Sequence, residues 1–257
     1  MNLEPYLDFT RELANAAAAV INPYFCAPDC GLEQKFDDSP VTLADRGAEE
    51  VMRAMIERQF PTHGIIGEEF GSHNADAEWV WILDPVDGTK SFISAVPLFG
   101  TLIGLLYQGK PVVGCINQSI LGQMLLGDGT TTTLNGKTVR VRACASVEQA
   151  TLLTTDPLRP RAHFDGAAFE NLASRARLFR SWGDCYGYLL LCSGWADAML
   201  DPKMAPWDFL PLLPVLRGAG AKVTNWRGEE VDCSAQQMSL VASAPEIHEE
   251  ILRSLNP

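Results

Sequence analysis

Histidine is scarce in this sequence, and its cysteines show no metal-binding spacing. Only 4 histidines occur in 257 residues, none in a paired spacing, and the 7 cysteines include no C-x-x-C pair. Imidazole-bound transition metals and structural zinc are therefore disfavoured. An odd number of cysteines also argues against a disulfide framework, so a reducing cytoplasm is the simplest compartment.

Basic residues and long apolar runs are also few. The 20 lysines and arginines are outnumbered by 32 aspartates and glutamates, which gives a formal net charge of −12. Such a balance argues against nucleic-acid binding through a basic surface. The N-terminus carries Glu4 and Asp8 instead of a basic region before an apolar stretch. We therefore expect no signal peptide, no membrane span, and neither nucleic acid nor membrane as a partner.

One apolar run followed directly by acids is the most informative part of the chain. Residues 79–83 have the pattern of a buried strand, and Asp84 follows them. Pro85 is expected to stop the strand pairing, and Gly88 frees the backbone for a sharp turn. The sequence therefore predicts a tight loop that brings the carboxylates of Asp84 and Asp87 together.

The amides after this loop suggest what the carboxylates bind. The N–H groups of Gly88 and Thr89 are predicted to open a short helix, and helix-opening amides attract anions. Paired carboxylates attract a hard cation such as Mg²⁺. Because carboxylates and phosphate repel each other unless metal lies between them, the pattern predicts phosphoryl chemistry with two or more metal ions. Alone, a D-P-x-D-G-T segment is equally compatible with an ordinary turn.

Two further motifs favour the metal site. Residues 67–69 (Gly-Glu-Glu) end a predicted strand, and residues 206–208 (Pro-Trp-Asp) enter a later helix. With residues 84–89, they resemble the metal-site motifs of the inositol monophosphatase family of Mg²⁺-dependent, lithium-sensitive phosphatases. The resemblance covers nearly the whole chain, because residues 41–45 and 218–220 also follow the family's order. It implies a mixed α/β fold, a layered α-β-α-β-α sandwich, a small phosphate monoester as substrate, and a homodimer.

The resemblance also implies a ligand set. Glu68, Asp84 and the carbonyl of Val86 would hold one Mg²⁺, and Asp84, Asp87 and Asp208 a second. Two or three ions are expected in the site. Independently of the family, carboxylates at a strand end, on a tight loop and at a helix start converge only if these ends face one pocket. A helix N-cap is the rival role for Asp208.

A water activated by metal, and no side chain, is the expected nucleophile. The resemblance implies that Thr89, hydrogen-bonded to Asp45, orients this water and passes its proton on. The amides of Gly88 and Thr89 would hold the phosphate oxygens. Asp45 is equally compatible with being an ordinary first-turn helix acid. Lys35 stands where the family often has a lysine near a further metal, although a solvated surface lysine is the favoured interpretation.

Substrate choice is predicted from departures from the inositol-type pattern. Ser91 replaces a common asparagine, and Asp184 stands where the family usually has a small neutral residue beside the substrate's non-phosphate end. Asp201 matches a second acid that contacts substrate. Two such carboxylates suggest a cationic leaving group. Residues 180–188, with Arg180 as a further substrate-binding candidate, are similar to the histidinol-phosphate phosphatases of this family.

Other interpretations remain open. Asp184 is also a candidate N-cap for the helix that follows it. The enzyme could be an inositol monophosphatase or a broad sugar-phosphate phosphatase, in which Asp184 only accepts a hydrogen bond from a hydroxyl. A non-catalytic Mg²⁺-binding module is a third class. An aspartyl-nucleophile phosphatase is disfavoured, because two residues separate Asp84 from Asp87 where such enzymes have D-x-D.

The pattern along the chain predicts two halves of one compact unit. Residues 1–142 form an α+β half that carries most metal ligands, with a helix over residues 5–24 and an antiparallel meander over residues 101–126. Residues 143–257 form an α/β half that carries Asp208 and the substrate-specificity residues. The active site is expected between the halves.

Two boundaries in the second half rest on single residues. The strand over residues 198–200 is expected to end at Asp201. Residues 209–217 have a helical pattern in which Pro211 fits an opening turn, whereas Pro214 predicts a kink or a delayed start.

Overall fold

A computed structural model describes residues 1–29, 31–34 and 40–257 of the chain. Its helices of four or more residues are α1 (Glu4–Ile21), α2 (Leu43–Gln59), α3 (Thr89–Ile93), α4 (Pro160–His163), α5 (Gly166–Arg175), α6 (Asp184–Cys192), α7 (Pro206–Phe209), α8 (Leu212–Gly218) and α9 (Pro245–Leu255). Its strands are β1 (Glu33–Gln34), β2 (Pro40–Val41), β3 (Gly64–Gly67), β4 (Gly71–His73), β5 (Trp79–Asp87), β6 (Gly100–Tyr107), β7 (Lys110–Gln118), β8 (Gln123–Gly127), β9 (Thr132–Leu134), β10 (Lys137–Thr138), β11 (Thr151–Leu153), β12 (Leu178–Arg180), β13 (Ala198–Met204), β14 (Lys222–Thr224) and β15 (Met238–Ser243).

Two large sheets organise the described part of the chain. The first has eight strands in the order β10-β9-β8-β7-β6-β5-β3-β4, and only β3 and β5 pair in parallel. The second has five strands in the order β12-β11-β13-β15-β14, with β11 parallel to both of its neighbours. The predicted meander is confirmed as β6, β7 and β8.

The fold has five layers, which pack together through three hydrophobic clusters. Helices α1 and α2 pack on one face of the eight-stranded sheet. Helices α6 and α8 lie between the two sheets, and α5 and α9 cover the outer face of the five-stranded sheet. The layered α-β-α-β-α sandwich implied by the resemblance is therefore confirmed. The roles given to the halves 1–142 and 143–257 stay a prediction, although the two sheets do divide between residues 138 and 151.

Strand β5 shows why its sequence is a continuous apolar run. Successive strand side chains point to opposite faces. Trp81 and Leu83 accordingly pack against α1 and α2, while Val80 and Ile82 pack in the cluster with α6 and α8. Because both faces of the sheet are covered, alternation with polar residues is lost. Each large side chain buried in this way contributes roughly 1.5–3 kcal/mol of transfer free energy.

The expectation that β5 ends at Asp84 is wrong. Pairing with β6 is irregular after Asp84 and resumes at Asp87, which lies opposite Gly100. Two residues of β5 there face one residue of β6, which is a β-bulge. Pro85 cannot donate to the ladder, but its carbonyl accepts a hydrogen bond of 2.8 Å from the Thr101 hydroxyl. The bulge, and no strand end, places the two aspartates.

The two boundaries predicted in the second half also differ from the structure. Strand β13 continues past Asp201 to Met204, with an irregularity in its pairing to β15. The helical segment divides into α7 and α8, and Pro211 occupies the cap position of α8. Pro214 lies in the first turn of α8, where a missing N–H is tolerated. The delayed start is therefore confirmed, and the kink at Pro214 is not observed.

None of the helices within the described ranges combines the length and the apolar character that a membrane crossing requires.

Candidate active site

Three carboxylates converge where the bulge of β5 meets α7. Asp84, Asp87 and Asp208 each offer a ligand oxygen, and these oxygens all lie within 4.8 Å of one another. The bulge supplies the first two aspartates, and the first turn of α7 supplies the third. An all-oxygen donor set of this charge suits a hard divalent cation. The cluster could therefore hold a metal ion, as the motifs predict.

Burial and mutual repulsion perturb these acids. Burial raises the pKa of Asp84 well above its usual range, and the charges of Glu68, Asp87 and Asp208 raise it further. Burial likewise raises the pKa of Asp208 to about 7, although a backbone hydrogen bond from Ala205 opposes the shift. Both shifts mean that the ionised cluster is costly without a cation.

Glu68 reaches the same region from β3. Its backbone N–H donates to the carbonyl of Leu83 at 3.1 Å, which continues the parallel pairing of β3 with β5. Its charge raises the pKa values of Asp45, Asp84 and Asp208. The structure therefore places Glu68 beside the three-aspartate cluster and leaves its ligand role a prediction.

The predicted ligand Val86 lies inside the bulge. Its side chain is buried, and its N–H donates to Asp84 Oδ1 at 3.1 Å. Its carbonyl accepts a 3.0 Å hydrogen bond from the hydroxyl of Thr89. The carbonyl is thus held at the site by the residue that follows the loop.

Asp208 lies in the first turn of α7 and also faces the acidic cluster. Ala205, and not Asp208, is the N-cap of α7. The carboxylate of Asp208 accepts the N–H of Ala205 at 2.7 Å from the third helical position. It therefore closes the first turn of α7 and also faces Asp84 and Asp87, so the N-cap interpretation is wrong in its position.

Thr89 and Asp45 meet across the site. The Thr89 hydroxyl lies 3.5 Å from Asp45 Oδ1, longer than its 3.0 Å contact with the Val86 carbonyl. Asp45 is buried and also accepts the N–H and the hydroxyl of Thr42, in a capping box at the start of α2. Burial raises the pKa of Asp45 to about 6. The first-turn role and the contact with Thr89 thus coexist.

Gly88 makes the turn between the metal loop and α3. Its φ of +93° lies in the left-handed region that favours glycine. A Cβ at this position would lie 2.8 Å from the carbonyl oxygen of Leu98 and 3.1 Å from Asp184 Oδ2. The close approach brings α6 against the predicted phosphate-binding amides. A cleft of about 350 Å³ opens there, lined by residues that include Glu68, Gly88, Thr89, Lys90, Ser91 and Asp184.

Asp184 is the first residue of α6 and has an unusual backbone. Its φ is +50°, uncommon for a residue with a side chain, and its N–H donates to the Thr155 hydroxyl at 2.9 Å. Gly183 holds the N-cap position, so the N-cap interpretation of Asp184 is wrong. Backbone strain of this kind clusters at functional sites.

The charge environment of Asp184 is mixed. Burial raises its pKa to about 7 and Asp201 raises it further, while the cations Arg159 and Lys90 and a hydrogen bond from Ser91 act to lower it. Ser91 and Asp184, the two departures from the inositol-type pattern, line the same cleft.

The other two substrate candidates lie in different settings. Asp201 is buried, and its oxygens accept the Thr155 N–H at 3.0 Å and the Tyr188 hydroxyl at 2.9 Å. It lines a second, smaller cleft together with Asp184 and Asp208. Arg180 is exposed on β12 and donates to the carbonyl of Phe179, and neither cleft is lined by it. The structure does not bring Arg180 to the described site.

Sequence reasoning missed Thr155 and Arg159. Both residues line both clefts. They follow the buried strand β11, and ligands commonly bind beyond the carboxyl ends of parallel strands. The polar run after an apolar strand is the signal that could have found them. Lys35 lies outside the described residues.

The whole chain matches a known family. The model of the inositol monophosphatase family matches residues 2–257, and the chain belongs to this family of phosphatases. The Arabidopsis thaliana protein named bifunctional phosphatase IMPL2, chloroplastic, is 42% identical over 98% of this chain and 75% of its own length. The histidinol-phosphatase of Chlorobaculum parvum is 38% identical over 89% of this chain and 88% of its own.

Solved structures agree with this placement. An inositol monophosphatase from Zymomonas mobilis superposes with a TM-score of 0.87 at 34% identity, and the match covers 100% of both chains. An inositol monophosphatase from Anabaena gives a TM-score of 0.86 at 29% identity, with 99% of this chain and 96% of that chain covered. The relatives carry different substrate names, so they define the reaction class and not the substrate.

Proposed function

We propose that this protein is a Mg²⁺-dependent phosphomonoesterase that hydrolyses L-histidinol phosphate to L-histidinol and phosphate, a step of histidine biosynthesis. The observation that carries the proposal is the position of Asp184. Its carboxylate lies against Gly88, beside the amides predicted to bind phosphate, in a cleft that also contains Glu68. We propose that an acid at this position faces the alcohol part of the substrate, which is the leaving group.

The donor set fits Mg²⁺. Asp84, Asp87 and Asp208 offer only oxygen, and we propose that Glu68 and the carbonyl of Val86 complete sites for two or three ions. Burial and the neighbouring carboxylates raise the pKa values of Asp84 and Asp208, which supports a cation bound beside them. When bound, Mg²⁺ would supply an activated water and neutralise charge on the phosphate.

The chain's own residues then orient the reaction. Hydrolysis joins the water oxygen to phosphorus and breaks the ester P–O bond, and the leaving oxygen takes up a proton to depart as the alcohol. The Thr89 hydroxyl would orient the water. A proton of this water would pass toward Asp45 through the 3.5 Å contact between the Thr89 hydroxyl and Asp45 Oδ1. The amides of Gly88 and Thr89, at the N-terminal end of α3, would hold the phosphate oxygens.

Asp184 and Asp201 would recognise the leaving group. Burial raises the pKa of Asp184 to about 7, so a cation bound beside it would favour its charged form. Histidinol phosphate carries an ammonium and an imidazole. Arg159 and Lys90 already offset part of the negative charge of Asp184, and the substrate cation would compete with them for this carboxylate. Relatives named histidinol-phosphatase, 38% and 32% identical, support this substrate.

An inositol or other polyol phosphate is the second candidate. The observation that favours it is the presence of Arg159 in both clefts, because a guanidinium there repels a cationic leaving group. Asp201 is already paired with Thr155 and Tyr188. In that case Asp184 would accept a hydrogen bond from a substrate hydroxyl.

A panel of phosphate esters tests the proposal. Turnover of histidinol phosphate, inositol 1-phosphate and glycerol phosphate should be measured with Mg²⁺ and after EDTA treatment. We expect Mg²⁺-dependent activity with the highest kcat/KM for histidinol phosphate. A higher kcat/KM for a neutral ester would favour the second candidate, and full activity in metal-free protein would refute the metal mechanism.

We also propose that the enzyme is a cytoplasmic homodimer. The dimer rests on family resemblance, and light scattering of the purified protein tests it. The described cysteines carry free thiols, as suits a reducing compartment. Fractionation of the source cells tests the location.

A further inference from the structure

A buried ion pair lies on α2, one turn beyond Asp45. Glu49 is 0% exposed, and Oε1 accepts the Nε–H of Arg53 at 2.7 Å. The Arg53 side chain is itself only 13% exposed. A buried charge persists only where it is paired and hydrogen-bonded, so this acid has a specific set of partners.

Those partners belong to the turn that follows the predicted ligand Glu68. Glu49 Oε2 accepts the N–H of Glu69 at 2.8 Å, and Oε1 accepts the N–H of Phe70 at 3.1 Å. Arg53 donates in addition to the carbonyl of Gly71. The pair therefore binds two donors and one acceptor of the 69–71 backbone.

Gly67 shows how closely the acid approaches the other side of Glu68. A Cβ at Gly67 would lie 2.0 Å from Glu49 Oε1 and 2.8 Å from the Arg53 guanidinium. The φ of Gly67 lies outside the left-handed region, so backbone conformation does not require glycine here. The close approach of Glu49 and Arg53 does. Glu68 is thus preceded by a residue in contact with Glu49 and followed by two residues hydrogen-bonded to it.

We propose that Glu49, held by Arg53, is a positioning residue that fixes the backbone around Glu68 and thereby sets the metal affinity of the site. The proposal rests on the metal site of the proposed function. Helix α2 would then serve the site twice, through the contact of Asp45 with Thr89 and through the hold of Glu49 on the turn. Neither Glu49 nor Arg53 is required to touch metal or substrate.

The expected size of the effect follows from this geometry. Partners that orient metal ligands typically change affinity by about 10–100-fold when they are removed. Without the carboxylate, the N–H groups of Glu69 and Phe70 lose their acceptor, and the turn no longer has one fixed arrangement. The backbone on both sides of Glu68 is then less fixed before metal binds, and the cost of ordering it appears as weaker Mg²⁺ binding.

Calorimetric titration with Mg²⁺, in the absence of substrate, tests the proposal on the full-length protein. E49Q keeps the shape of the side chain but supplies only one acceptor oxygen. D197N is a matched control, because Asp197 is also a buried acid that binds an arginine, Arg142, and a backbone N–H, that of Thr151. Asp197 directly precedes β13 and contacts Thr151, the first residue of β11, whereas Thr155 follows the opposite end of β11.

We expect Mg²⁺ affinity to fall at least about tenfold in E49Q and to stay unchanged in D197N. Both substitutions should lower the melting temperature. Unchanged Mg²⁺ affinity in folded E49Q would overturn the proposal. If E49Q does not fold, R53Q takes its place, with the same expectation and the same contradicting result. A wild-type protein that binds no Mg²⁺ would instead refute the proposed metal site.

Discussion

Asp184 Oδ2 lies 3.1 Å from the position that a Cβ would occupy on Gly88. This approach joins α6 to the turn between β5 and α3. The acid proposed to recognise the leaving group therefore lies next to the amides proposed to hold the phosphate. The two parts of a phosphate ester would meet at this contact.

Replacing Gly88 tests the tightness of this contact. G88A must place a side chain at φ +93° and against Leu98 and Asp184. We expect a loss of at least about 100-fold in kcat/KM, since small misplacements at a reacting site cost that much. G129A is the control, because Gly129 has φ +82° but nothing within 4 Å of its Cβ position. Equal activity losses in both variants would contradict the account.

The carboxylate of Asp87 should be required for activity but should lower the free energy of unfolding of the metal-free protein. Burial raises its pKa, as do the charges of Asp184 and Asp208. The folded state therefore binds this proton more tightly than the unfolded chain. The stability it contributes is present at acid pH and is lost as pH rises through the raised pKa.

D87N should therefore abolish Mg²⁺-dependent turnover and raise the metal-free unfolding free energy at pH 8, because the neutral amide avoids the cost of a buried, repelled carboxylate. Denaturant unfolding in EDTA measures the stability. D76N, at an exposed acid, controls for the change in net charge. A D87N protein that is less stable than the wild type at pH 8 would argue against mutual repulsion in the cluster.

Mg²⁺ binding should release protons near neutral pH. Burial raises the pKa of Asp208 to about 7, so part of the cluster is protonated before metal binds. The apparent Mg²⁺ affinity should therefore rise between about pH 6 and pH 8. Calorimetry in two buffers of different ionisation enthalpy measures the released protons. Binding heats independent of the buffer would show that the cluster is already fully ionised.

Thr89 should act on turnover and not on ground-state binding. T89A removes the hydroxyl that contacts Asp45 and the Val86 carbonyl, and we expect kcat to fall about 10²–10⁴-fold while KM changes little. T89S keeps the hydroxyl and should retain most of the activity. Steady-state kinetics of both variants provide the test. Unchanged kcat in T89A would remove the Thr89 and Asp45 pair from the mechanism.

Three motifs taken together, with the family resemblance that they carry, predicted the acidic cluster. A buried strand followed by acids, glycine and threonine predicts where Asp84 and Asp87 lie, and the structure brings them to Asp208. The bulge was not predicted, because strand propensity cannot show that pairing resumes at Asp87 beyond a proline.

The partners that hold the site were harder to predict. Glu49 contacts a turn 20 residues away along the chain, and Thr155 reaches Asp184 across 29 residues. Such contacts depend on how helices pack on the sheets, which no local pattern specifies. For Asp208 the sequence presented a ligand and an N-cap as alternatives, whereas its carboxylate closes the helix turn from the third position and also faces the cluster.

The most direct test of the account is the substrate selectivity of D184N. Removing one partner of a buried charge pair costs roughly 2–5 kcal/mol, so kcat/KM for histidinol phosphate should fall at least tenfold relative to that for a neutral ester. The measurement is kcat/KM for histidinol phosphate and glycerol phosphate with wild type and D184N. We expect the loss to be confined to histidinol phosphate. Equal losses for both esters would contradict the proposed role of Asp184 and return the choice of substrate to the sugar and polyol phosphates.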